Sequence, residues 1–249
     1  MLPILQVGPL TLRTPELALL AALWVGLELA SRAGMRRGID PDHVYNLGFI
    51  TVLVGLAAAR LGFVLANLPL YTNITPWNRA VGAVLSLSAG TELPLVGLLA
   101  AALAVAFLIR RWALPLLPLA DSFAPALGVF VAGIGLALFL GGGYLGRPAA
   151  VPWAVPLAGA ARHPTQMYLL IVGLLMLAAF YRLRGADLPA GTLMQVVLLV
   201  LGVGVLLVEP LRTDSPTLMW GVRAWSAAAL VVVVLVLGGF AARAPAAAP

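Results

Sequence analysis

Three observations predict an all-α integral membrane protein with seven transmembrane helices. The chain of 249 residues is 62% hydrophobic and only 10% charged, its mean hydropathy is +1.06, and its apolar residues fall into seven long runs. The runs are Leu17–Ala33, Val44–Asn67, Val81–Ile109, Ser122–Gly141, Thr165–Tyr181, Ala190–Glu209 and Leu218–Phe240. Each is near the roughly 20 residues that a tilted helix needs to cross the hydrocarbon core. No polar block is long enough for a separate soluble domain, so residues 1–249 read as a single polytopic membrane domain. The start, Met1–Arg13, lacks the basic region and cleavage site of a signal peptide, and the spans themselves are expected to direct insertion.

The third run is interrupted by Ser86, Ser88, Gly90, Thr91, Glu92 and Pro94. A broken or re-entrant stretch followed by a helix from Pro94 is expected, with protein or water covering the irregular backbone. Arg223 lies near the start of the seventh run, at the interface, and the Ala/Pro tail at about 243–249 reads as disordered.

Loop arginines set the orientation. Arg32, Arg36, Arg37, Arg110, Arg111, Arg182, Arg184 and Arg243 fall on one side, mostly as close pairs in short connections. Arg13, Arg79, Arg147, Arg162, Arg212 and Arg223 fall on the other. This bias places the C-terminus inside and, with seven spans, the N-terminus outside. The segment at about 142–168 is then extracytoplasmic.

Composition narrows the chemistry. There is no cysteine, so no disulfide, protein thiolate or Cys-based metal site can form, and any thiol must come from a substrate. All fifteen cationic side chains are Arg, each a permanently charged fork suited to phosphate or carboxylate. A net charge of +6 in such a chain points to anionic lipid head groups, not nucleic acid. Metal-ligand spacing, a Walker loop and a nucleophile elbow are all missing, and neither metal nor cofactor is expected.

Polar residues concentrate between the fourth and fifth runs. Gly146-Arg147-Pro148, Pro152-Trp153 and Arg162-His163-Pro164-Thr165-Gln166-Met167-Tyr168 gather two arginines, a histidine, a Gln, a Tyr and a Trp beside hydrocarbon. Ionisable groups in that setting are costly and mark a site. His163 offers an imidazole that suits a general base, and Pro164 suits the first turn of the fifth span, where an anion is favoured. Gly141-Gly142-Gly143 and Gly146 provide backbone that either cradles an anionic head group or ends a helix. Arg60 deep in the second run, Asp121 at the start of the fourth and Glu209 at the end of the sixth must pair or line a wet cavity. Ion pairs that fix helix register are the simpler reading for Glu209 and an open alternative for Arg60 and Asp121.

These residues resemble the bacterial prolipoprotein diacylglyceryl transferase family. The similarity runs through Gly8-Pro9-Leu10, Gly38-Ile39-Asp40-Pro41, Ala59-Arg60-Leu61-Gly62-Phe63-Val64-Leu65 and Leu119-Ala120-Asp121-Ser122-Phe123-Ala124-Pro125. It continues in Gly146-Arg147-Pro148, Pro152-Trp153-Ala154-Val155, the motif Arg162 to Tyr168 and Leu207-Val208-Glu209. The resemblance implies a multi-pass protein of the bacterial plasma membrane. It implies transfer of a diacylglyceryl group from phosphatidylglycerol to the lipobox Cys thiol of an exported lipoprotein precursor. By that resemblance His163 is the candidate base, and Arg147, Arg162, Arg60, Gln166, Tyr168 and Gly146 are candidate substrate contacts.

The chain departs from the family in its polar set. The family signature Gly-Arg-Ile-Gly-Asn-Phe-(Ile/Val)-Asn-Gly-Glu is here Ile134-Gly135-Leu136-Ala137-Leu138-Phe139-Leu140-Gly141-Gly142-Gly143. The family's His-Gly-Gly has only Ser88-Ala89-Gly90 near its place. Val205 stands where an arginine precedes the Glu209 position by four residues, and Pro15 stands near the family's first-span tyrosine. The alternative reading is therefore a catalytically silent homologue that binds lipid or serves an active relative. A small-solute transporter is a third, supported by the broken third run and opposed by the lack of internal repeats.

Overall fold

The computed structural model describes residues 4–7, 10–72, 74, 76–85 and 93–243. A short antiparallel hairpin of β1 (Ile4–Val7) and β2 (Leu10–Arg13) leads directly into α1 (Thr14–Met35). It is followed by α2 (Pro41–Ala66), the single turn α3 (Pro69–Thr72), α4 (Trp77–Leu85), α5 (Pro94–Arg111) and α6 (Leu116–Gly141). A second hairpin, β3 (Val155–Leu157) with β4 (Ala160–Arg162), precedes α7 (Thr165–Leu183), α8 (Thr192–Val208) and α9 (Ala224–Ala241). Seven helices are long and apolar enough to cross a membrane: α1, α2, α5, α6, α7, α8 with its terminal turn, and α9. The expected seven-helix membrane architecture is the one observed. The described residues fall into two compact units, Met1–Gly38 with Leu117–Pro249, and Ile39–Leu116.

Element limits differ from expectation at three places, each for a local reason. The third run supplies α5, which begins at Pro94 as its interruption predicts, because proline's fixed φ and missing N–H suit the first helical turn. Its first part belongs to the separate α4, and Ser86, Ser88, Gly90, Thr91 and Glu92 lie outside the described residues. The fourth span starts at Leu116, so Asp121 lies inside α6 and not at its start. The seventh starts at Ala224, because Leu218 turns back to bond Val222 and Thr217 bridges Arg223. Gly8-Pro9 and the tail beyond Arg243 lie outside the described residues.

In the larger unit, small residues on α6 let its backbone approach two neighbours. A Cβ on Gly135 would stand 2.5 Å from the Leu170 amide nitrogen and 2.7 Å from the Gln166 carbonyl oxygen of α7. From the other side, Gly173 of α7 faces the Gly128 carbonyl and the Ala132 backbone, while Gly133 meets Ala22 of α1. Helices in lipid gain little from apolar burial against each other, so dispersion at such close crossings is a main source of association. Around them, Ala124, Val131, Leu169, Val172, Met176, Phe180, Leu193 and Val197 form the buried core. Asp121 reaches from α6 to accept hydrogen bonds from the Gly191 and Met194 amides, both at 2.8 Å. It thereby caps the start of α8, where the side chain of Gly191 offers none and its φ of 86° favours glycine.

In the smaller unit, Gly97 of α5 lies against Gly55 and Ala59 of α2. Arg60 is buried in α2 and reaches the end of α4: its Nε donates to the Val84 carbonyl at 2.8 Å, and Nη2 donates to the Ala83 carbonyl and to the Tyr71 hydroxyl at 3.3 Å. The Phe63 and Tyr71 rings each lie 5.8 Å from its guanidinium carbon.

The tightness of the α6–α7 crossing yields a direct test. Gly173→Leu should separate the two helices and destabilise the protein by about 1–3 kcal/mol or more, the usual cost of overpacking. Gly238→Leu, at a site with no neighbour within 4 Å of an added Cβ, should be nearly silent. Thermal unfolding in detergent checks both, and equal melting temperatures for the two variants would refute the packing argument.

Candidate active site

The polar segment is organised by a strip of extended backbone, residues 145–149. On one edge the Arg147 amide donates to the Leu211 carbonyl at 2.7 Å and the Thr213 amide to the Leu145 carbonyl at 2.8 Å. On the other edge the His163 amide donates to the Arg147 carbonyl at 3.0 Å and the Ala149 amide to the Ala161 carbonyl at 3.0 Å. The strip thus joins the end of α8 to the β3–β4 hairpin and the start of α7. Gly146 is required at its centre, because a Cβ there would collide with the His163 carbonyl.

Two residues at the start of α7 tie the helix to the glycine run. Thr165 Oγ1 donates to the Tyr144 carbonyl at 2.5 Å, and Gln166 Nε2 donates to the Gly143 carbonyl at 2.6 Å. Both side chains are fully buried, and Gln166 Oε1 has no partner among the described residues. The Arg162 guanidinium is engaged by the Leu157 carbonyl at 3.1 Å and the Gly146 carbonyl at 3.0 Å, so it braces the hairpin against the strip. Arg147 is exposed, and its guanidinium has no partner among the described residues.

His163, half-buried, stands in a short chain. Trp153 Nε1–H donates to the Tyr168 hydroxyl oxygen at 2.7 Å, and that oxygen lies 3.1 Å from His163 Nδ1. Indole N–H is a donor only, so one lone pair of Tyr168 is taken by Trp153. The other can accept from Nδ1–H, which leaves Nε2 as the basic nitrogen.

A charged knot closes the α8 end. Glu209 is fully buried and Arg212 is 5% exposed. Arg212 Nη1 donates to Glu209 Oε2 at 2.9 Å, and Nη2 donates to Asp214 Oδ1 at 2.9 Å. Ser215 Oγ donates to Glu209 Oε1, and Asp214 accepts from the Leu145 amide at 2.9 Å. Arg223 Nη1 donates to the carbonyls of Glu209 and Arg212 at 2.7 and 3.1 Å. The Tyr144 ring lies 3.6 Å from the Arg212 guanidinium carbon. Burial pushes the Tyr144 hydroxyl above its ordinary pKa, against the opposing pull of the Arg212 charge. For Arg212 burial acts downward, but the hydrogen bond to Glu209 and the surrounding charges outweigh it and raise the pKa.

Beneath this knot lies an apolar cavity of about 530 Å³ between α6, α7, α8 and α9, with Tyr144 and Arg212 among its lining residues. Its wall includes Ile134, Leu138 and Val205. Leu138 and Val205 are two of the positions to which the resemblance assigns polar side chains.

Sequence reasoning placed His163, Gln166, Tyr168, Gly146, Arg147 and Arg162 together, and the structure brings all six around the strip and the start of α7. Glu209 joins the same end through Arg212. Asp121 sits at the opposite end of α6 from the glycine run, and Arg60 belongs to the smaller unit. Tyr144, Asp214 and Ser215 were missed. The signal for Tyr144 was its place directly after three glycines, and it is one of few non-glycine residues with positive φ, 62°. The signal for the others was the spacing Glu209, Arg212, Asp214, Ser215 immediately after an apolar span.

A family model described as prolipoprotein diacylglyceryl transferase matches residues 3–244. A protein of Trichormus variabilis is 30% identical over 260 aligned positions, covering 96% of this chain and 88% of its own length. One from Corynebacterium diphtheriae is 25% identical, covering 96% of this chain and 91% of its own length. One from Methylocella silvestris is 34% identical over 177 positions, covering 66% and 62%. All three carry the name phosphatidylglycerol–prolipoprotein diacylglyceryl transferase.

The knot makes a stability prediction. Arg212→Met leaves Glu209 buried without its cation and should cost about 3–5 kcal/mol, as breaking one partner of a buried pair does. Arg212→Met combined with Glu209→Met should recover part of that loss, because the fully buried carboxylate is gone and only the more exposed Asp214 still lacks its cation. A double-mutant cycle on unfolding free energy checks this, and strict additivity would show that the pair is not coupled.

Proposed function

Because the chain belongs to the prolipoprotein diacylglyceryl transferase family, we propose that it transfers a diacylglyceryl group from phosphatidylglycerol to the cysteine thiol of a lipobox in an exported lipoprotein precursor, at the bacterial plasma membrane. In this reaction a bond forms between the cysteine sulfur and the terminal glycerol carbon of the diacylglyceryl group. The bond from that carbon to the phosphate oxygen breaks, glycerol phosphate leaves with the electron pair, and the thiol proton passes to a base.

The observation that carries the proposal is the apolar cavity whose lining includes Tyr144 and Arg212, at the same end as His163. An acyl chain fits an apolar channel between helices, and the ester and phosphate region then lies where the chain places its polar groups. His163 Nε2 takes the thiol proton in the tautomer whose Nδ1–H donates to the Tyr168 hydroxyl, the oxygen to which Trp153 also donates. Arg147 is the cation available to the phosphate at this end, because Arg162 is engaged by carbonyls and Arg212 by carboxylates. Gly146, Gln166 and Arg162 act by holding that geometry, and the segment at about 142–168 faces the extracytoplasmic side, where exported precursors arrive. Arg60, in the smaller unit, is engaged by the Ala83 and Val84 carbonyls there, and anionic lipids surround the arginine-bearing loops.

A mass assay tests the reading. The purified chain in phosphatidylglycerol-containing nanodiscs should add a diacylglyceryl mass to a lipobox peptide with a free cysteine. His163→Ala should lower the rate by about 10²-fold or more. Arg147→Gln should raise the apparent KM for phosphatidylglycerol by about tenfold, the scale of one charge-assisted hydrogen bond. No mass gain beside an active relative would sink the transferase reading for this substrate pair and leave a silent lipid-binding homologue.

A further inference from the structure

At the other end of α7, about 28 Å from His163 by helix rise alone, four arginines line one pocket of about 280 Å³. Arg32, Arg36 and Arg37 come from the end of α1 and the turn after it, and Arg184 from the residue that closes α7. Phe180 and Tyr181 give the pocket an aromatic wall. A second pocket of about 240 Å³ adjoins it and shares Arg37 and Arg184.

The partners of these arginines distinguish them from simple anchors. Arg32 donates to Glu28 at 2.7 Å, and Arg37 lies 3.8 Å from Asp121, a carboxylate already bonded to two backbone amides. Arg36 and Arg184 have no carboxylate partner among the described residues, and the Arg184 guanidinium rests on the Tyr181 ring at 4.6 Å. Two net positive charges therefore face one concavity. Helix ends explain part of the pattern, since α1 and α7 both point their partially negative C-termini here and a cation near each is favourable. That accounts for one arginine per helix end, and it does not account for four on a single pocket. Guanidinium forks converging on a concave site between helices, with an aromatic wall beside them, match the chemistry of a phosphate ester.

We propose that this pocket binds a phosphate-bearing anion, with Arg36 and Arg184 as its principal contacts. The site is separate from the His163 end, and the inference does not depend on the transferase reading. The phosphate belongs either to an anionic phospholipid in the adjoining leaflet or to a soluble phosphate ester, and the two sources are separable by experiment.

The test uses the full chain, delipidated in a neutral detergent, with thermal unfolding as the readout. One arm titrates dioleoyl phosphatidic acid in mixed micelles against dioleoyl phosphatidylcholine. The other titrates glycerol 3-phosphate and inorganic phosphate. Arg36→Gln with Arg184→Gln should weaken the anionic response about tenfold, and each single variant should weaken it by a smaller factor. Arg110→Gln with Arg111→Gln removes the same charge from α5 and should leave the response unchanged. A response confined to phosphatidic acid assigns a lipid head group, whereas a response in the soluble arm assigns a free phosphate ester. Equal weakening by both double variants, or none by Arg36→Gln with Arg184→Gln, would overturn the site and leave only diffuse charge attraction.

Discussion

A guanidinium held at 5% exposure next to apolar helices cannot be left alone, and Arg212 organises the candidate site because of what it requires. Its demand draws Glu209 and Asp214 to all three of its nitrogens and the Tyr144 ring to its face. Those partners come from different segments, so meeting the charge also fixes the chain around it. Asp214 in turn accepts from the Leu145 amide, which starts the extended strip. Near hydrocarbon a non-helical segment must satisfy its own amides and carbonyls, and this strip does so on both edges. The position of His163 is therefore the last link of a series that begins with one buried cation.

The same arrangement explains how the site can lack the polar groups that the resemblance expects without collapsing. Leu138 and Val205 occupy positions that the resemblance assigns to polar side chains, and both line the apolar cavity. An apolar wall has no hydrogen bonds to satisfy, so the cavity keeps its shape without the missing groups. The chemical consequence is electrostatic. With Arg212 matched by two carboxylates, the proposed transfer leaves Arg147 and backbone amides to stabilise the departing phosphate. Losing one preorganised donor can already cost about 10²–10³ in rate. The proposed reaction is thus expected to be slower here than with the full polar set.

The seven spans were legible because length and hydropathy suffice for them. So was the clustering of Arg162 to Tyr168, because ionisable residues beside apolar runs stand out. The helix limits near Asp121 and Leu218 were not. Asp121 resembles a span boundary in sequence, but it sits within α6 because its partners are the amides opening α8, seventy residues away. Leu218 belongs to an apolar run whose first residues fold back on Val222, a turn that hydropathy does not register. The knot of Glu209, Arg212, Asp214 and Ser215 was only half visible: the charged pair could be read, but not the contacts with Tyr144 and Leu145 that make it structural.

Since every cation in the chain is an arginine, none can escape burial by losing its proton. Each must find acceptors in the fold or remain at a surface, and this sorts them physically. Arg60, Arg162 and Arg223 are met by backbone carbonyls, and Arg212 by carboxylates. Their charges are matched within the protein, so removing one should first be felt as instability. Arg147 at one end of α7, and Arg36 and Arg184 at the other, have no carbonyl or carboxylate answering them among the described residues. A fork that the fold leaves unanswered beside a cavity is the one suited to an outside anion. On that criterion the partner state of an arginine, more than its depth or its place in a motif, separates the structural cations from those proposed to meet a ligand.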